Sequence, residues 1–211
     1  MYKKLCGLAA VCALLAAGPA AAQIPDVHVE PYVGIFVPLN QIADADVLGF
    51  TFQVDQQEAL AVGGRAAIFP RERWGLQANF MYAFSNADVK FGSSALREET
   101  ASVWALDGRL VYNLMPDPVD LLVSGGFGVI SHGDDAYQNV TSGETDFMGV
   151  LGAGLRFGWI EGLVFRLDVD SYLYYARPTV ASSDFKDQLQ LNSEFQADLV
   201  LSAGLQFTLH P

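Results

Sequence analysis

The sequence predicts an all-β fold: an eight-stranded antiparallel up-and-down transmembrane β-barrel, preceded by a cleaved signal peptide. Three observations carry this. Apolar and polar residues alternate through most of the chain, the links between alternating segments are short and long in turn, and aromatic residues gather at both ends of the segments. Period two gives a strand two unlike faces. In "FRLDVDSYLYYA" (165–176), Phe165, Leu167, Val169 and Leu173 point one way, and Arg166, Asp168, Asp170 and Tyr172 the other. A water-soluble fold would bury the apolar face. Here that face is expected to meet lipid, with the charges forming the core.

The chain opens with basic "MYKK", apolar "LCGLAAVCALLAAG" and small "PAAAQ", so residues 1–22 read as a signal peptide cut after Ala22 and residues 23–211 as the barrel domain. The apolar run is too short to cross a membrane as a helix. Cys6 and Cys12 both lie within it, which leaves the exported chain without a disulfide, and bulky Val11 argues against lipidation of Cys12. Without Lys3 and Lys4 the net charge is −14, from 10 basic and 24 acidic residues. Binding nucleic acid through its phosphates is thereby excluded. No later run reaches 18 apolar residues, so a membrane crossing after residue 22 must use strands.

Eight alternating segments follow, at 27–38, 58–69, 74–85, 100–114, 119–130, 145–159, 163–175 and 193–209. Most reach the roughly 9–11 residues of a tilted spanning strand, where soluble strands run to about 5–6. In the first, Glu30 is placed inward; in the second, Glu58 and Arg65. In the third, Trp74, Leu76, Phe80, Tyr82 and Phe84 oppose Gln77, Asn79, Met81 and Ser85. In the fourth, Trp104, Leu106, Leu110, Tyr112 and Leu114 oppose Asp107, Arg109 and Asn113. The fifth, "VDLLVSGGFGVI", is rich in glycine, which eases strand packing and curvature. The sixth sets Phe147, Leu151, Leu155, Phe157 and Trp159 against Asp146 and Arg156. The eighth sets Phe195, Leu199, Leu201, Leu205 and Phe207 against Glu194, Gln196, Asp198 and Gln206.

The links "PRER" (70–73), "MPDP" (115–118) and "IEG" (160–162) are short, while 39–57, 86–99, 131–144 and 176–192 are long, polar and acidic. Strict alternation puts every long link at one end, as in barrels with short periplasmic turns and long outer loops. Phe69, Trp74, Tyr112, Phe157, Trp159 and Phe207 fall near the short-turn end, and Phe84, Trp104, Phe147, Tyr175 and Phe195 near the long-loop end. Such sorting is expected of aromatic girdles at two membrane interfaces.

The inward charges Glu58, Arg65, Asp107, Arg109, Arg156, Arg166, Asp168, Asp170, Glu194 and Asp198 are the main candidate constellation. Eight strands leave a lumen that side chains just fill, and buried charges must be paired. An arginine fork can serve two carboxylates. The expectation is a structural plug; rearranged pairs would instead open a narrow ion path. Neighbouring arginines would keep Asp168 and Asp170 both ionised, which speaks against an acid–base pair. Asp44, Asp46 and Asp55 in one long link, and Asp134, Asp135 and Glu144 in another, match no calcium-loop spacing and read as a solvated rim. His28, His132 and His210 are scattered and read as surface residues, and adjacent Ser131 and His132 face opposite ways. No catalytic, cofactor or metal site is expected.

"VEPYVGIFVP" (29–38), "VDLLVSGGFGV" (119–129), "DFMGVLGAGLRFGW" (146–159) and "SAGLQFTL" (202–209) resemble the first, fifth, sixth and last strands of the small eight-stranded outer-membrane barrels of the OmpA, OmpX and opacity-adhesin type. One departure is that Thr208, Leu209, His210 and Pro211 follow Phe207, where that family ends on an aromatic residue; another is that no peptidoglycan-binding domain follows the barrel. The resemblance implies a monomer in the outer membrane of a Gram-negative cell, meeting lipid and lipopolysaccharide and inserted by the barrel-assembly machinery. It also implies a non-enzymatic role that supports the envelope and presents acidic loops to an extracellular partner. A narrow porin-like channel is the alternative, and a soluble lipocalin-like carrier or a lipid-modifying barrel enzyme the more distant ones.

Overall fold

The computed structural model describes residues 26–40, 43–47, 50–71, 73–91, 94–116, 118–133, 145–160, 163–176 and 194–209. The segment read as a signal peptide and most of the links at 131–144 and 176–192 lie outside these residues. Those described form ten strands: β1 (Val27–Pro38), β2 (Ala43–Val47), β3 (Phe50–Gln56), β4 (Ala59–Arg71), β5 (Trp74–Phe91), β6 (Ser94–Met115), β7 (Val119–Gly133), β8 (Thr145–Ile160), β9 (Leu163–Ala176) and β10 (Glu194–Leu209).

Eight of them close a barrel. From β4 to β10 each strand pairs antiparallel with the next. β1 completes the ring by pairing with β4 on one side and β10 on the other, so that Tyr32 stands opposite Gly63 and Gly204. β1 has the bounds read from the sequence, and β10 runs two residues past Phe207.

The remaining two strands correct the reading of 39–57 as an open loop. β2 and β3 form a hairpin that continues onto β5, with Val54 opposite Val89. β5 and β6 stay paired out to Phe91 and Ser94, which makes them 18 and 22 residues long rather than ending near 85 and starting near 100. The physical reason is that a strand beyond the lipid needs no apolar face. Its ladder bonds suffice, and polar composition there does not mean loop. The result is a four-stranded ribbon beyond the barrel rim at the end opposite the short turns.

Inside the barrel, burial follows period two. Leu60, Phe127 and Leu151 are exposed by 60%, 67% and 59% on the outer wall, whereas Glu30, Asn79, Arg109 and Asp170 are buried at 3% or less. In water this would be an inverted protein. In lipid the outer band is solvated by hydrocarbon and the polar lumen is the core. No helix among the described residues is long and apolar enough to cross a membrane.

Candidate functional site in the barrel lumen

Three arginines and four carboxylates from β1, β4, β6 and β9 meet in the half of the lumen nearer the short turns. Arg65 on β4 reaches across the barrel: Nη1 donates to Glu30 Oε1 at 2.6 Å and Asp168 Oδ2 at 3.1 Å, and Nη2 donates to Asp170 Oδ2 at 3.1 Å and Ser202 Oγ at 2.8 Å. Its guanidinium also lies 4.1 Å from the centre of the Tyr32 ring. Arg166 donates from Nη2 to Asp168 Oδ1 at 2.8 Å and from Nη1 to Gln77 Oε1 at 3.0 Å. The second oxygen of Glu30 lies 3.3 Å from Arg166 Nη1, an ion pair without hydrogen-bond geometry. Arg109 bonds Asp107 through Nε at 2.5 Å and Nη2 at 3.0 Å, and Asp170 through Nη1. Asn79 links this end onward, donating to Asp107 Oδ2 at 2.8 Å and accepting from the Tyr32 hydroxyl at 3.0 Å.

Arginine and carboxylate thus alternate along one continuous chain, Arg166–Asp168–Arg65–Asp170–Arg109–Asp107. Each charge is desolvated but faces an opposite one, the condition under which buried charge is tolerable. Glycine makes the room. A Cβ on inward-facing Gly152 would collide with Asp170 Oδ1, and one on Gly204 would sit against the Glu30 carboxylate.

Towards the ribbon the filling changes. Phe36, Met81, Val103, Ala105, Ile130, Met148, Val150, Tyr172 and Val200 pack as one buried apolar cluster. Beyond it Tyr174 donates to Asp198 Oδ2 at 2.8 Å and lies 3.1 Å from His132 Nε2. At the opposite end Arg156 pairs with Asp120 at 2.5 Å. Asn113 Nδ2 donates to the same Asp120 at 3.0 Å.

The structure therefore gathers Arg65, Asp107, Arg109, Arg166, Asp168 and Asp170 into one network. Arg156 sits apart below it and Asp198 apart above it. Glu58 is a correction: it precedes β4, is exposed, and has the opposite parity to inward Arg65. Glu194 opens β10 opposite Ala176, and its side chain lies outside the described residues. Asp120 and Tyr32 were missed. Parity of β7 with buried Leu122 would have found the first, and parity of β1 with Glu30 the second. His132, expected on the surface, is buried.

Of the girdle residues, Trp74 meets Tyr112 in a tilted pair at 4.6 Å between ring centres, Tyr175 meets Phe195 at 5.6 Å, and Phe84 is 59% exposed on the outer wall. Trp104 and Phe157 are half-buried on the same wall, and the Trp159 side chain lies outside the described residues. Phe69 is a correction. It turns inward, 5.4 Å from the His28 ring and 5.5 Å beneath the Arg156 guanidinium.

Residues 8–207 match the family described as "Outer membrane protein beta-barrel domain". The chain belongs to that family. It is accordingly a barrel of the Gram-negative outer membrane. Solved structures of the same fold include the outer membrane protein OprG from Pseudomonas aeruginosa, with TM-score 0.64 and 13% identity over 90% of this chain and 98% of that one. The outer membrane protein AlkL gives TM-score 0.58 and 14% identity over 92% and 95%. Neisserial surface protein A gives 0.54 and 8% over 86% and 96%. No curated protein matches the sequence significantly. At these identities the likeness shows the shared barrel, and the lumenal network is described from this chain alone. Among the described residues of this family member, no group of three or more His, Cys, Asp or Glu is placed to hold a metal ion.

Proposed function

We propose that the protein is a non-enzymatic, closed outer-membrane barrel that supports the envelope and holds an acidic ribbon outside the cell for surface interaction. The observation that carries this reading is the double filling of the lumen. An ionic layer and an apolar layer lie in series, with Arg65, Arg109, Asp170, Tyr172, Phe36 and Met81 all buried at 3% or less. Such packing leaves no continuous water column, and a sealed barrel serves as a rigid mount. The mounted hairpin belongs to segment 39–57, which carries Asp44, Asp46 and Asp55 and no Lys or Arg. That composition favours a cationic partner, with an attraction that salt weakens.

A narrow ion path is the second reading, supported by the ionic layer itself: its pairs hold each other, and a re-paired arginine would leave a charged gap. Planar-bilayer recording separates the two. The wild type is expected to show no steady conductance, and Arg109→Ala to leak. A reproducible open state in the wild type would put the channel first. For the ribbon, an epitope inserted at Ser93 is expected to bind antibody on intact cells, whereas one at Arg71 is not. Labelling at Arg71 alone would reverse the orientation.

A further inference from the structure

Most outward positions of the barrel carry large apolar side chains, but one region of the wall does not. Ala66 on β4 stands opposite Ala78 on β5, which stands opposite Gly108 on β6; on β7 Gly108 faces Phe127, and Gly125 stands two residues away, opposite Leu110. A Cβ added at Gly108 would meet nothing within 4 Å. These residues floor a hollow of about 620 Å³ whose walls include Leu76, Leu110 and Phe127. A second hollow of about 310 Å³ adjoins it through Leu76 and Leu110 and reaches Arg71 and Trp74 at the β4–β5 turn. The two make one trough, apolar along its length and cationic at its foot.

Its position suits one kind of occupant. The short turns mark the periplasmic interface, where tryptophan sits at headgroup depth. Small outward residues let an alkyl chain approach the backbone and touch floor and walls together, and such packing drives association where water is absent. An arginine fork at the foot matches a phosphate. A second barrel would bring a convex wall to a concave trough. We propose that this trough seats one glycerophospholipid of the periplasmic leaflet, with its phosphate on Arg71 and one acyl chain over Ala66, Ala78 and Gly108.

Native mass spectrometry of the whole protein, exchanged from detergent into micelles doped with phosphatidylglycerol, tests this. The wild type is expected to keep one phosphatidylglycerol at collision energies that strip detergent. Gly108→Leu fills the trough and abolishes retention. Ala203→Leu, on the outer wall of β10 between Val33 and Leu167 and away from the trough, keeps it. Arg71→Gln, at the exposed end of β4, lowers retention about fivefold, the effect of one basic residue at an anionic lipid surface. Diacylglycerol of the same chains, lacking the phosphate, is retained by the wild type no better than phosphatidylglycerol is by Arg71→Gln. Heat-modified gel mobility verifies that each variant is folded. Wild-type retention in Gly108→Leu, equal loss in Ala203→Leu, or diacylglycerol held as firmly as phosphatidylglycerol overturns the site. If Gly108→Leu does not fold, the Arg71→Gln and diacylglycerol arms decide alone.

Discussion

Below Tyr172 the lumen is packed with charge, and above it with hydrocarbon. The lower half rests on Arg65, Arg109 and Arg166 against Glu30, Asp107, Asp168 and Asp170. The upper half rests on Phe36, Met81, Ile130, Met148 and their neighbours. Both halves are deeply buried, yet they fail differently. Trimming an apolar side chain loses contacts in proportion to the atoms removed. Removing one arginine takes a partner from every carboxylate it served, at a cost set by the partners left behind. Substituting a single charge therefore measures that residual charge more than the net worth of the pair.

The largest expected effect is at the most connected charge. Arg65→Leu leaves Glu30, Asp168 and Asp170 with fewer partners and should cost about 3–5 kcal/mol, read as the shift of the urea midpoint in lipid vesicles. A midpoint unchanged from wild type would mean that the network adds nothing that leucine cannot replace. The mirror experiment puts a charge on the outside. Leu151→Arg should cost about 2–4 kcal/mol if its place is near the bilayer midplane, and the fraction inserted in a folding assay reports it. Full insertion would deny that this wall faces lipid. The smallest effect belongs to the upper half, where Ile130→Val should cost about 0.5–1.5 kcal/mol. A loss as large as that of Arg65→Leu would erase the contrast between the halves.

Alternation carried much of this into view. It separated Leu167 from Asp168 and Leu106 from Asp107 because period two is a property of each strand alone, and the closed eight-stranded barrel follows from eight such segments with alternating links. It did not say who meets whom across the lumen. Arg65 and Asp168 are 103 residues apart, and their meeting depends on strand tilt and stagger, which no single segment encodes. The same gap explains Asp198, grouped with the arginines by its face yet bonded to Tyr174 at another height. Glu58 and Phe69 failed for a simpler reason. Each was placed by residue type, charge inward and ring outward, and Arg65 on the same strand fixes the opposite parity for the first and its own inward parity for the second.

The ring has one seam, where β1 from the start of the barrel meets β10 from its end. Arg65 binds Glu30 on one side of that seam and Ser202 on the other, with Asp168 and Asp170 just beyond. A chain stalled with the seam open, or joined in the wrong register, keeps Arg65 beside Glu30 but forfeits its bonds to Asp168, Asp170 and Ser202, and leaves those charges short of a partner. The lumenal charges thus act as a latch: they penalise every incomplete circle and release the penalty only when the last strand docks beside the first.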